Sequence, residues 1–232
     1  MKVFAQQLKW QFTLLGKNNI IRISLAVTVI YGIILYLLRG ISGIDKLLVA
    51  LVLNDPSVIG YFFIALAIYT ESKNGILPAI FVSPLSLHNL ILSKSISLAM
   101  IGTVCSLGLA VSVRGFDFHI LPYTIGVATI CLMSIWLGLI MMTYSDEFLK
   151  FAMFSIPVFL AFVNVPLLQY LGVVDLGFFK YIFPIQGSLD LIDYAVSGTP
   201  ISFVYSYLSI LIVLPAVYAL AYRIFNQRVV HQ

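Results

Sequence analysis

ILPYTIGVATICLMSIWLGLIMMT, residues 120–143, runs without a single Asp, Glu, Lys or Arg. Crossing the hydrocarbon core of a bilayer takes about 20 predominantly apolar residues in helical form, so this stretch reads as one membrane-crossing helix. The rest of the chain follows the same pattern. Apolar residues make up 61% of it and charged residues 9%, with a mean hydropathy of +1.06. These values lie outside soluble globular usage and exclude a soluble core. The 232 residues have room for about six such spans and for no separate soluble domain.

Working outward from residues 120–143, spans are expected at about 20–38, 51–71, 90–113, 149–173 and 201–222. The fold class is an all-α membrane protein, one domain over 1–232, with six transmembrane helices. The first residues, MKVFAQQLKWQFTLLGKNNIIR, do not resemble a signal peptide, because the apolar run starts only at Ile20 and no short apolar core precedes a small-residue cleavage site. Cys105 and Cys131 sit in apolar runs and read as small hydrophobes rather than as a disulfide or metal ligands.

The second span contains an interruption. Asn54-Asp55-Pro56 breaks the apolar run from Leu47 to Tyr69. A mid-bilayer aspartate costs roughly 2.5 to 3.5 kcal/mol on insertion scales, and proline removes a helix hydrogen bond. The interruption is therefore expected near the outer surface, with residues 57–71 as the helix proper and Asp55 facing other helices or a wet groove.

Basic residues set the orientation. With the N-terminus inside, the inner side collects Lys2, Lys9, Lys17, Arg22, Lys73, Lys94, Lys150, Arg223 and Arg228, and the outer side Arg39, Lys46, Arg114 and Lys180. Nine against four places both termini in the cytoplasm.

Few residues are arranged for chemistry. Gly16-Lys17 lacks the upstream glycine of a phosphate-binding loop, and His88, His119 and His231 have no metal-ligand spacing. No cofactor or metal is expected on this chain, and nucleic acid is not an expected partner. Asp190 and Asp193, three apart, would share a helix face, read here as a solvated face before an acid/base pair. Span five carries Pro157, Asn164 and Pro166. These fit a helix broken where it lines a substrate path, with Asp55, and equally a bend that helps packing.

One loop concentrates what the spans lack: residues 71–94, ESKNGILPAIFVSPLSLHNLILSK. Ser72 can cap a helix, Pro78 is tolerated in a first turn, and Ile76, Leu77, Ile80 and Phe81 fall on one helical face. Ser83-Pro84 would end that helix and Ser86 would cap the next. The short amphipathic helix would meet either a soluble partner or lipid headgroups.

Glu71, Gly75, Ser83-Pro84-Leu85 and Lys94, after a span preceded by Asp55-Pro56, resemble the E…G…L…SP…K pattern of type-2 ABC exporter permeases. Within that class the chain is most similar to small bacterial permeases of the fluoroquinolone-export type. The resemblance implies a permease subunit of an ATP-binding-cassette exporter in the inner or plasma membrane, forming a dimer with a second copy or a homologous permease. ATP and Mg would be held by separate ABC ATPase subunits. It further implies that Asn74, Gly75, Ile76, Leu77, Ile80 and Phe81 belong to a cytoplasmic coupling helix docking on the ATPase, with Glu71, Ser83, Pro84 and Lys94 at its ends. Residues 1–19 would be an elbow helix on the inner leaflet, its apolar side Val3, Phe4, Leu8, Phe12 and Leu15. Residues 176–197 would be outer re-entrant or interfacial helices between spans five and six. An intramembrane enzyme or assembly factor, with Asp55, Asp190 and Asp193 as acids, is the competing class.

Overall fold

The computed structural model describes residues 2–76, 86–145 and 147–230. The described residues are helical, with no strand among them. The order is α1 (Lys2–Lys17), α2 (Ile20–Leu37), α3 (Ile44–Lys73), α4 (Leu87–Arg114), α5 (Ile120–Met142) and α6 (Phe148–Phe159). A π-helical turn (Leu160–Asn164) leads to α7 (Val165–Tyr170), then a 3-10 turn (Gly177–Ile182), α8 (Gln186–Ser197) and α9 (Phe203–Phe225). Six stretches are long and apolar enough to cross a membrane: α2, α3, α4, α5, Phe148–Tyr170 and Phe203–Arg228.

Helix α5 is the centre of the bundle. It packs on α3, α4, α8 and α9, while α2 leans on α4 and α1 lies against α4. Close approach is achieved by glycine, which is how helices associate where apolar burial gives no advantage over lipid. A Cβ at Gly60 of α3 would stand 2.8 Å from the Cys131 carbonyl oxygen of α5, and one at Gly126 of α5 would stand 2.9 Å from the Ser188 carbonyl oxygen of α8.

The structure departs from the expected break in span two. Helix α3 runs unbroken through Asn54-Asp55-Pro56 for 30 residues, about 45 Å at 1.5 Å per residue. Asp55 thus lies three turns inside a continuous helix. Pro56 has no N–H for the Val52 carbonyl one turn back, and side chains donate to other carbonyls on both sides of it. Ser57 Oγ donates to the Leu53 carbonyl at 2.5 Å, Asn54 Nδ2 to the Ala50 carbonyl at 3.1 Å, and Cys131 Sγ to the Pro56 carbonyl at 3.3 Å.

Span five likewise bends without breaking. Pro166 offers no N–H to the preceding turn, and the helix widens there: the Val165 N–H donates to the Leu160 carbonyl, five residues back. Tyr61, Phe62, Phe151 and Phe159 form an aromatic cluster that seats this span on α3.

At the end of the bundle where α3 starts and α4 finishes, Arg114 Nε and Nη2 grip Asp45 at 2.9 and 2.6 Å. Both side chains remain about one-third exposed, at 34% and 29%, and exposed ion pairs contribute about 0–1 kcal/mol. Arg114→Met is expected to lower stability by no more than about 1 kcal/mol, read as a small fall in Tm in detergent. A large fall would show that the pair carries more than this exposure allows.

Candidate functional site

At the other end of the bundle, Glu71 in the last turn of α3 and Lys94 in the second turn of α4 form an ion pair across the base of the 71–94 loop. Both are buried, with 5% and 2% of their surfaces exposed. The third wall is α1, whose Gln11 Oε1 accepts a hydrogen bond from Lys94 Nζ at 3.3 Å. Gln7, one turn earlier, is buried beside it.

Helix α1 turns two glutamines inward. The fully buried stripe is Gln7, Gln11 and Leu15, spaced by four, while Phe4, Leu8 and Phe12 are only half-buried. Gln11 turns inward to the Glu71–Lys94 pair, where a buried charge without hydrogen bonds is costly. The cluster is incompletely matched: Glu71 Oε2, Gln11 Nε2 and both amide atoms of Gln7 have no partner among the described residues.

Local capping explains how the loop leaves the bundle. Asn74 is the C-cap of α3, donating its N–H to the Thr70 carbonyl, and Gly75 follows at φ +69°. A left-handed residue just past a helix end is the usual glycine stop signal. Asn74 and Gly75 therefore terminate α3 instead of starting a docking helix, and Ser72 lies within α3 rather than capping a new one. Ile76 is half-buried. Leu77, Ile80, Phe81, Ser83 and Pro84 lie outside the described residues. The loop re-enters at Ser86, whose Oγ accepts from the Asn89 N–H at 3.3 Å and caps α4.

Sequence reasoning passed over His88. It sits two residues inside the re-entry point, and its Nδ1 is 2.6 Å from the Tyr218 hydroxyl of α9. Tyr218 in turn meets Trp136 of α5 edge-on, and Trp136 Nε1 donates to Ser95 Oγ of α4 at 3.0 Å. The loop's exit is thus tied to three helices. No local signal announces this, since the partners lie 130 and 41 residues apart.

The residues named for a substrate path do not converge. Asp55 lines a cavity of about 340 Å³ between α2 and α3. Pro157, Asn164 and Pro166 are not on its walls. Pro157 is exposed on the outward face of α6, Asn164 is half-buried in the π turn, and Pro166 is buried at the start of α7.

The two carboxylates of α8 are half-buried and hydrogen-bonded. Asp193 accepts hydrogen bonds from the Tyr170 hydroxyl at 2.7 Å, from Ser197 Oγ at 3.1 Å and from Thr199. Asp190 accepts from Gln186 Nε2 at 2.8 Å. Burial pushes the Asp190 carboxyl above its ordinary range, against the Gln186 hydrogen bond and the nearby Lys180 charge. Helix α8 is wedged between α5 and α9 with Leu189, Ile192 and Val196 buried, which is why its polar side makes internal ties. Asp190 also borders a cavity of about 550 Å³ with Lys180, Tyr181 and Tyr205. Asp55, Asp190 and Asp193 share neither a cavity nor a hydrogen-bond partner among the described residues.

Six apolar helices define a multi-pass membrane protein, with one inter-helix loop held at its base by a buried charge cluster. The chain belongs to the Fluoroquinolones export permease protein family, whose family model matches residues 2–232. No curated protein matches it.

Proposed function

We propose that this chain is the membrane-spanning subunit of an ATP-driven drug exporter, dimerising with a second permease and driven by separate ATPase subunits that hold ATP and Mg. The observation that carries the reading is the Glu71–Lys94 pair, which joins the two ends of the 71–94 loop inside the bundle. A loop tied at its base to α1, α3 and α4 moves those helices when it is pushed. A freely hung loop would absorb the displacement.

In this reading residues 76–81 dock on the ATPase in the cytoplasm, both termini lie on that side of the inner or plasma membrane, and α1 rests along the inner leaflet. Exposed Trp10 and half-buried Phe4, Leu8 and Phe12 suit such a placement. The 3-10 turn and α8 close the outer end. Fluoroquinolones are the cargo that the family's description suggests. The competing enzyme reading needs its acids together, and Asp55, Asp190 and Asp193 have separate surroundings.

Purification from native membranes tests the proposal, with a stoichiometric ATP-binding subunit as the expected result and its reproducible absence as the contrary one. Replacing Ile80 and Phe81 together by Asp should abolish that association while leaving the Tm unchanged. An intact complex would refute docking through this face.

A further inference from the structure

The cavity between α2 and α3 combines features that export alone does not explain. Asp55 is about 15 Å along α3 from Asp45 at 1.5 Å per residue, and its Oδ2 is buried without a partner among the described residues. Across the cavity Ser24 of α2 is 2% exposed, and its Oγ also has no partner. The walls contain no Lys, Arg or His. The ion pairs found among the described residues, Glu71–Lys94 and Asp45–Arg114, leave Asp55 without a protein cation.

An unpaired carboxylate in such surroundings costs several kcal/mol, so the native state favours whatever brings it a positive charge. A bare proton would need no room. The cavity offers about 340 Å³, within the usual range for small-molecule sites. Tyr31 and Phe63 line it, and aromatic faces attract ammonium groups. Val58 and Ile23 are exposed at its rim, so it opens at the side of the bundle between the two helices.

We infer that this cavity binds an organic ammonium compound, its protonated amine on Asp55, its hydrogen-bonding group on Ser24 and its apolar body against Tyr31 and Phe63. The site deepens the exporter reading by naming the class of cargo, and relies on that reading only for calling the ligand cargo.

The test uses the full-length chain in lipid nanodiscs with a fluorescent arylpiperazine, protonated at neutral pH, and its uncharged N-acetyl derivative as probes. The wild type should prefer the amine, and Asp55→Asn should weaken amine binding by at least about tenfold while leaving the acetyl derivative unchanged. Asp55→Glu should keep the preference, and Val58→Trp, which fills the cavity from its rim, should weaken both probes. Equal affinity of the wild type for the two probes, or full amine binding by Asp55→Asn or Val58→Trp, overturns the inference. No ATPase is present in this assay, so its outcome and that of the co-purification are read separately.

Discussion

Lys94→Met is expected to be the most damaging single change to a charged side chain in this protein, costing about 3–5 kcal/mol, the usual effect of removing one partner of a buried ion pair. Native domains are stable by only about 5–15 kcal/mol, so the variant should lose much of its folded population. The reason lies in what remains. Glu71 is 5% exposed and its Oε2 already has no partner among the described residues, so without Lys94 its charge has no counter-ion among them. Gln11 Oε1 would lose its donor too. The double variant Glu71→Leu/Lys94→Met removes both charges and should recover most of the loss, since apolar pairs often replace buried ion pairs at little cost. Recovery should be incomplete, because Gln7 and Gln11 of α1 would then face apolar side chains. Limited proteolysis should accordingly cut α1 faster in the double variant. Thermal unfolding in detergent reads the stabilities, and a wild-type Tm for Lys94→Met, or a double variant no better than the single one, would sink this account.

The six spans were legible because each is an apolar run of about the length a bilayer crossing takes, a property of consecutive residues. What each helix touches is not such a property. Lys94 meets Glu71 across 23 residues and Gln11 across 83, and Asp45 meets Arg114 across 69. Read locally, these are isolated charges and amides, and nothing within α1 marks Gln7 and Gln11 as buried. Asp55-Pro56 failed for a related reason. Propensity treats a proline as a break, whereas α3 carries Pro56 inside 30 continuous helical residues. The same limit covers Asp193 of α8, whose tie to Tyr170 spans 23 residues, whereas the Gln186–Asp190 bond, four residues apart on one helix, is local. Gly75 is the exception among the site residues: its role in stopping α3 is local and could have been read from Asn74-Gly75 alone.

Helix rotation is hardest to read where every face is apolar, and in α5 glycine settles it. Gly138 lies where the backbone of α5 crosses that of α3. A Cβ there would come within 3.0 Å of the Tyr61 Cα and carbonyl carbon, and closer still to its oxygen. These are backbone atoms, so no side-chain rotation can make room. Gly60 lies at the same crossing, against Cys131 and Ile135. Gly138→Leu must therefore drive α3 and α5 apart, and should cost at least the 1–3 kcal/mol typical of overpacking. Separation would also move Tyr61 from the Ser155 carbonyl, 3.2 Å from its hydroxyl, and loosen the aromatic seat of span five. The variant is expected to yield little monodisperse protein on size-exclusion chromatography. Gly32→Ala supplies the contrast, because a Cβ there meets only the Ser112 side chain at 3.7 Å, ordinary contact. It replaces a mid-helix glycine and should be neutral or stabilising by about 0.5–1 kcal/mol. Wild-type yield and Tm for Gly138→Leu would mean that α3 and α5 do not meet backbone to backbone. The positions of Glu71 and Asp55, both carried on α3, would then need a different account.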